Sequence, residues 1–351
     1  MSQTGVAAPP KGHIDVLDGV RAASILLVLA AHLLPLGPKS WLLNGIAAGC
    51  GMSLFFVLSG FLITRLLLDD NNLVNFLVKR LTRILPLAWL YCVLVFVLFD
   101  HDIQRLILNV TFALNFDYGV SGPYDGQLWS LCLEVQFYLV IGVAFRLLGE
   151  RAKWVVLGLC LLFTALRVAA DAPYSTLTQL RGDEILTGAL LCISTSGRFG
   201  DHSRFWGLVG RVTPVFVPLL MVTSIPEGGW LSCLRAYPAA LLVGSVMYSR
   251  ATWLKALLTS KPAVYIAKIS YALYIFHPAA AAGPLALGDG PKWLLYLVKR
   301  PITFAISFGL AHVSTFHFER IWTARGRRWV EGRHSARRAI ARALALPAQR
   351  A

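Results

Sequence analysis

The chain has 351 residues, is 56% hydrophobic and only 15% charged, and carries a formal charge of +15. A soluble domain averages about 25% charged residues, and here the mean hydropathy is +0.63. A soluble globular protein is therefore excluded, and a polytopic helical membrane protein is expected. The basic residues fall in short clusters between apolar runs and in the C-terminal tail, the pattern of cytoplasmic loops facing anionic lipid rather than of a nucleic-acid-binding face.

Residues 1–17 are polar, with Pro9-Pro10, and read as a cytoplasmic lead. Lys11 before an apolar run resembles a signal-peptide flank, but Asp15 and Asp18 spoil that flank, so no cleavage is expected. The first helix is predicted over residues 18–36, stopped by Pro35, Gly37 and Pro38. A second run covers 51–68. A basic loop with Arg65, Lys79, Arg80 and Arg83 leads into a third helix that has Pro86 in its first turns and ends near Phe99. Residues 101–118 are short for a span and broken by Arg105, Asn109 and Asn115, so they read as an interfacial or re-entrant segment. After a turn-rich loop at 119–126, further spans are predicted at 128–148, 154–170, 184–196, 208–224, 230–248, 264–282 and 301–318, making about ten.

Arg and Lys concentrate in alternate loops: Arg65 to Arg83, Arg146 to Lys153, Arg198 to Arg211, and Arg250 to Lys261. The positive-inside rule then places both termini in the cytoplasm, with Lys299-Arg300 as the exception. Residues 18–320 form the membrane domain on this reading. Residues 321–351 form a basic cytoplasmic tail, either an amphipathic helix on the inner leaflet or a solvated tail.

Arg21 and His32 share the first helix. Each such side chain costs about 2.5–3.5 kcal/mol at the centre of a membrane. Eleven residues are close to three turns, so the two project from one face about 16 Å apart. Arg21 would hold a cytoplasmic anion while chemistry occurs at His32 near the outer side. Read alone, Arg21 is equally a topogenic anchor and His32 an interfacial histidine at a helix end. Arg80 and Arg83, i and i+3 on a helix start, make with Lys79 a phosphate-binding candidate or a topogenic cluster. Glu134 inside the fourth span is a functional candidate at a depth compatible with His32, or a structural partner of an Arg. His277 falls at a similar level, just before Pro278.

His312 and His317 are i and i+5, poor spacing for a metal pair, and no zinc motif, Walker loop or nucleophile elbow occurs. The six cysteines lie in or beside apolar runs with no Cys-x-x-Cys pair, so neither a metal nor a disulfide framework is expected. These residues describe a membrane enzyme or carrier with a basic inner mouth and an outer His/Glu site.

Six segments in order resemble acyltransferase family 3: LDGVRAASILLVLAAHL, FFVLSGFLIT, FLVKRLTRILPL, LWSLCLEVQFYL, KISYALYIFHP and FHFER, spanning residues 17–320. Departures occur at Ala22, where a Gly often follows the Arg, at Val135, where many members have a second acid, and at Ile321, which replaces a frequent Pro. The resemblance implies transfer of an acyl group, acetyl foremost, from cytoplasmic acyl-coenzyme A as co-substrate to a hydroxyl of an extracytoplasmic glycan or glycolipid at the bacterial inner membrane. It implies that Arg21, Arg80 and Arg83 hold the donor's phosphates. His32 would act as general base or transient acyl carrier, and Glu134 would orient the imidazole. Ser59 and Tyr274 would bond the developing oxyanion or, with His277, the acceptor. Acylation of a small secondary metabolite, such as a macrolide sugar, and transport of an anionic solute are the alternative readings.

Overall fold

The computed structural model describes residues 14–70, 72–117, 119, 121–282 and 291–345, without the side chains of 292 and 336–345. The start of the predicted lead and the end of the predicted tail lie outside these residues. The described residues are helical, with no strand among them. In chain order the helices are α1 (Asp15–Leu33), α2 (Leu43–Asp69), α3 (Leu73–Val95), α4 (Ile103–Val110), α5 (Trp129–Leu148), α6 (Ala152–Ala169), α7 (Thr178–Arg181), α8 (Asp183–Thr195), α9 (Ser203–Val209), α10 (Phe216–Val222), α11 (Ala236–Tyr248), α12 (Thr252–Leu258), α13 (Lys261–Ala282), α14 (Lys292–Leu294), α15 (Arg300–Val313) and α16 (Arg320–Ala345).

Helices stand at all the predicted span positions, with two refinements. The predicted run at 208–224 is a bent pair, α9 with the helical stretch through α10, at 66°. The segment at 101–118 is the eight-residue α4 followed by a single turn, too short to cross a bilayer of ~30 Å. Among the described residues, five helical stretches are long and apolar enough to span by length and composition, or six if the bent pair counts as one.

Two apolar cores meet on α2. One packs α1, α3, α5, α6, α8 and α13 against Phe56, Ile63 and Leu67, and the other packs α9, α10 and α11 against Leu54, Val57 and Phe61. Lipid tails are as apolar as leucine, so tight van der Waals packing holds such helices together, and small residues allow it. Gly60 of α2 and Gly188 of α8 are the clearest case. A Cβ on Gly60 would stand 1.8 Å from the Ile185 carbonyl oxygen, and one on Gly188 would stand 2.0 Å from that of Val57. Backbone cannot retreat as a flexible side chain would. Gly60→Ala should therefore destabilise the bundle at or above the ~1–3 kcal/mol of ordinary overpacking. The control Gly158→Ala meets nothing within 4 Å and should be neutral or stabilising. Thermal unfolding of the two variants in detergent checks this; equal melting temperatures would contradict the close approach.

The C-terminal end of α1, the outer one on the topology expected from the sequence, is tied to α2. The Asn44 side chain donates to the carbonyls of Ala31 and Leu34 at 2.7 Å each and accepts from the Leu36 backbone at 3.3 Å. It thereby satisfies C-terminal carbonyls that the helix leaves open. One turn from the middle, the Ser24 hydroxyl donates to the Gly51 carbonyl at 2.9 Å. These bonds fix the face that carries Arg21 and His32.

The first part of the tail has a contact that its composition did not announce. Residues 320–345 are one helix, α16, and it packs on α3: Thr82 stands where a Cβ of Gly326 would go. Val330 is only 2% exposed, whereas Arg325, Arg327 and Arg328 on the same helix are exposed.

Candidate active site

One face of α1 and one face of α2 line a path through the bundle. At one end is a cavity of ≈ 640 Å³ bordered by Arg21, Arg65, Lys79, Arg80, Arg83 and Arg327, together with Asp18, Asp69, Glu331 and His334. Six permanent cations against three carboxylates give this cavity an excess of positive charge that suits a multiply charged anion. Asn72 caps α3 by accepting from the Asn75 backbone at 3.1 Å, which starts the helix where Lys79, Arg80 and Arg83 share a face. Helix α16 supplies Thr323, Arg327, Val330, Glu331 and His334 as a wall.

At the other end is a cavity of ≈ 680 Å³. His32 of α1, Gly49 and Met52 of α2, Gln127 and Trp129 at the start of α5, and Tyr274 and His277 of α13 border it. The segment between α6 and α8 adds Tyr174, Thr176 and Arg181. Between the two lies a throat of ≈ 10 Å³ lined by Arg21, Ser24, Ile25, Val28, Met52, Phe55, Ser270 and Tyr274. It shares Arg21 with the inner cavity and Met52 and Tyr274 with the outer one. Such a space holds about one water, with Phe55 and Met52 among its walls.

The imidazoles are the reactive groups of the outer cavity. The ring centroids of His32 and His277 are 5.2 Å apart. His32 Nδ1 lies 2.8 Å from the Val28 carbonyl oxygen, and His277 Nδ1 lies 2.8 Å from that of Tyr274. A carbonyl only accepts, so each Nδ1 carries a proton, and in a neutral ring Nε2 is then the atom that can accept one. His32 is exposed at the cavity, whereas His277 is only 1% exposed.

Glu134 takes a different place from the one expected. It accepts from the Tyr138 hydroxyl at 2.7 Å and interacts electrostatically with Arg21 and Arg80, while the Arg80 guanidinium stands 6.0 Å over the Tyr138 ring. Glu134 therefore belongs with the arginines, and His32 takes its orientation from a backbone carbonyl. The start of α5 explains this. Gln127, Trp129 and Ser130 occupy the outer end, and Glu134 lies one turn further in.

Tyr274 lines both the outer cavity and the throat, but its hydroxyl already donates to the Gln127 carbonyl at 2.8 Å and meets Ser130 Oγ at 2.7 Å. Ser59 does not line either large cavity. It is half-buried, as is Phe55 one turn away, in a stretch of α2 otherwise buried from Cys50 to Phe61, and it is not among the residues that line the throat.

Sequence reasoning missed Gln127, Tyr174 and Arg181 as site residues. Arg181, Asp183 and Glu184 form a dense charge cluster opening an otherwise apolar run, and that was the available signal.

Fold and site together define a membrane-embedded helical bundle with a cationic cavity, a histidine cavity and a narrow throat between them. Residues 14–173 match the family model described as "Acyltransferase domain", in keeping with the acyltransferase family 3 that the sequence motifs resemble. Among similar proteins, a Staphylococcus aureus (strain COL) protein named "Putative O-acetyltransferase SACOL0978" is 28% identical, over 76% of this chain and 50% of its own length. "Peptidoglycan O-acetyltransferase OatA" of Listeria monocytogenes is 28% identical, over 76% of this chain and 49% of its own length. The chain thus spans about half the length of the curated relatives it matches. No solved structure matches it.

Proposed function

We propose that this chain is an integral membrane O-acyltransferase that moves an acyl group, acetyl foremost, from acyl-coenzyme A to a hydroxyl of a saccharide on the opposite side of the bacterial inner membrane. The observation that carries this reading is the throat, which joins a cavity suited to a polyphosphate to a cavity holding two imidazoles. Arg21, Arg80 and Arg83 hold the donor's phosphates, with Glu134 and Tyr138 fixing the arginines in place. The thin arm of the donor passes Phe55 and presents its thioester at the outer cavity. Ten spans with both termini in the cytoplasm give the inner cavity access to coenzyme A.

His32 Nε2 takes the proton from the acceptor hydroxyl as the oxygen bonds to the thioester carbonyl carbon. The tetrahedral intermediate collapses by breaking the carbon–sulfur bond, and the imidazolium returns its proton to the departing thiolate. The products are an O-acyl ester and free thiol, with no net proton change. His277 faces the acceptor beside His32.

The purified protein with acetyl-coenzyme A and saccharides from an envelope extract should release thiol and add an acetyl mass to a saccharide. Uptake of an anionic solute without thiol release would replace this reading with the transporter. The throat makes a separate prediction. Phe55→Trp should cut the transfer rate roughly tenfold or more by overfilling the throat while leaving donor affinity within about twofold, and Phe55→Ala should not cut it. Steady-state rates beside calorimetric donor binding measure this, and unchanged rates for Phe55→Trp would place the donor's path elsewhere.

A further inference from the structure

Behind the outer cavity lies a buried ionic cluster that the reaction above does not use. Arg167 donates to both oxygens of Asp183 at 3.0 Å, and Arg167, Arg181 and Arg235 each approach Glu184 Oε1 at 2.9 Å. Among the described residues of this cluster three guanidinium groups face two carboxylates, which leaves one positive charge in excess. Arg167, Arg235, Asp183 and Glu184 are all 0% exposed, and Arg181 is 3% exposed. An unbalanced charge at such burial is expensive unless a partner arrives.

The surplus charge faces the cavity. Among the described residues bordering the outer cavity, Arg181 is the only one with a permanent charge. Its guanidinium stands 5.3 Å over the Trp129 ring and 5.9 Å over Tyr174, both also in the cavity wall. Arg235 stands directly behind. It lies 4.2 Å over Tyr174, its Nη1 and Nη2 have no hydrogen-bond partner among the described residues, and Nη1 is 3.3 Å from where a Cβ on Gly49 would lie. The absent side chain at Gly49 leaves the cavity wall thin at that guanidinium.

We infer that the acceptor carries an anionic group, a carboxylate or a phosphate, which seats against Arg181 with Arg235 behind it and so turns the reacting hydroxyl toward His32. This rests on the acyl-transfer reading for the identity of the cavity as an acceptor site, but the anion preference is measurable without any donor. Arg181 is a binding residue here, and Arg235, Arg167, Asp183 and Glu184 position it. A neutral glycan would leave the surplus charge unanswered.

The test is binding of matched probes to the full chain in detergent at about 0.15 M salt, in an Arg80→Ala/Arg83→Ala background that weakens anion capture at the inner cavity. Glucuronate and glucose 6-phosphate are compared with glucose by saturation-transfer NMR titration. At least one anionic probe should bind roughly 10- to 100-fold more tightly than glucose, the range for one charge-assisted contact. The stronger of the two identifies carboxylate or phosphate as the seated group. Arg181→Gln should remove the preference and Arg181→Lys should keep part of it. Equal binding of all three probes, which needs no variant to read, overturns the inference, as does a preference that survives Arg181→Gln in a protein that still melts cooperatively. Absence of thiol release in the earlier assay would defeat the enzyme reading and leave this result standing, whereas a neutral preference here would leave acyl transfer standing.

Discussion

His32→Ala should lower the acyl-transfer rate about 10²- to 10⁴-fold, the usual contribution of a positioned general base, equivalent to about 2.7–5.4 kcal/mol of barrier. Donor affinity should hardly change, because His32 borders the outer cavity and neither the throat nor the cationic cavity. The protein should fold, since the side chain is exposed and its bond to the Val28 carbonyl lies within its own helix. Removing the ring beside His277 leaves space in a cavity of ≈ 680 Å³, so added imidazole should restore part of the rate. A base can be supplied from solution in this way; a packing group cannot. Steady-state thiol release with and without imidazole measures both effects. A variant that keeps more than a tenth of the rate would move the base to His277, and His277→Ala would then show the loss.

The second large effect belongs to the inner cavity. Arg80→Ala with Arg83→Ala should raise the dissociation constant of acetyl-coenzyme A roughly 10²- to 10⁴-fold. Two charge-assisted contacts at about 1.5–3 kcal/mol each give that range. Neighbours on one helical face couple, so the double loss should fall short of the sum of the single losses. Glu134 sharpens the expectation. With Arg80 and Arg83 both gone, its carboxylate is buried beside Tyr138 and keeps Arg21 as a cation that acts on it, one fewer than before, so Glu134→Gln in the same background should recover some stability. Saccharide binding should remain, because neither arginine borders the outer cavity. Calorimetric titration of donor and saccharide separates the two sites, and equal weakening of both would mean that these arginines only set topology.

Much of this site was legible because a helix has a fixed rise and repeat. Arg21 and His32 are eleven positions apart, and that spacing alone puts them on one face about 16 Å apart. The cavity linings on α1 keep to that face through Ser24, Ile25 and Val28. Arg80 and Arg83 were legible for the same reason, as i and i+3 at a helix start. Relations between helices were not. The depth of Glu134 depends on where α5 begins relative to α1, and one turn decides whether its carboxylate meets an imidazole or a guanidinium. Arg181 was harder still. It follows an irregular stretch after α6, and only the fold of that stretch turns it over Trp129 and into the cavity wall. The role of α16 was hidden because basic amphipathic composition does not distinguish a leaflet from a protein groove; the absent side chain at Gly326 opposite Thr82 makes the difference.

The central claim is that donor and acceptor enter from opposite faces and meet at the throat. It is tested by inserting the protein in one orientation in sealed vesicles and confining acetyl-labelled coenzyme A to one side and an acceptor saccharide to the other. The account predicts that label reaches the saccharide when the donor is on the Arg80 face and the saccharide on the His32 face, without coenzyme A crossing. Transfer of equal rate with the two sides exchanged, or transfer only when both substrates share a side, would contradict it.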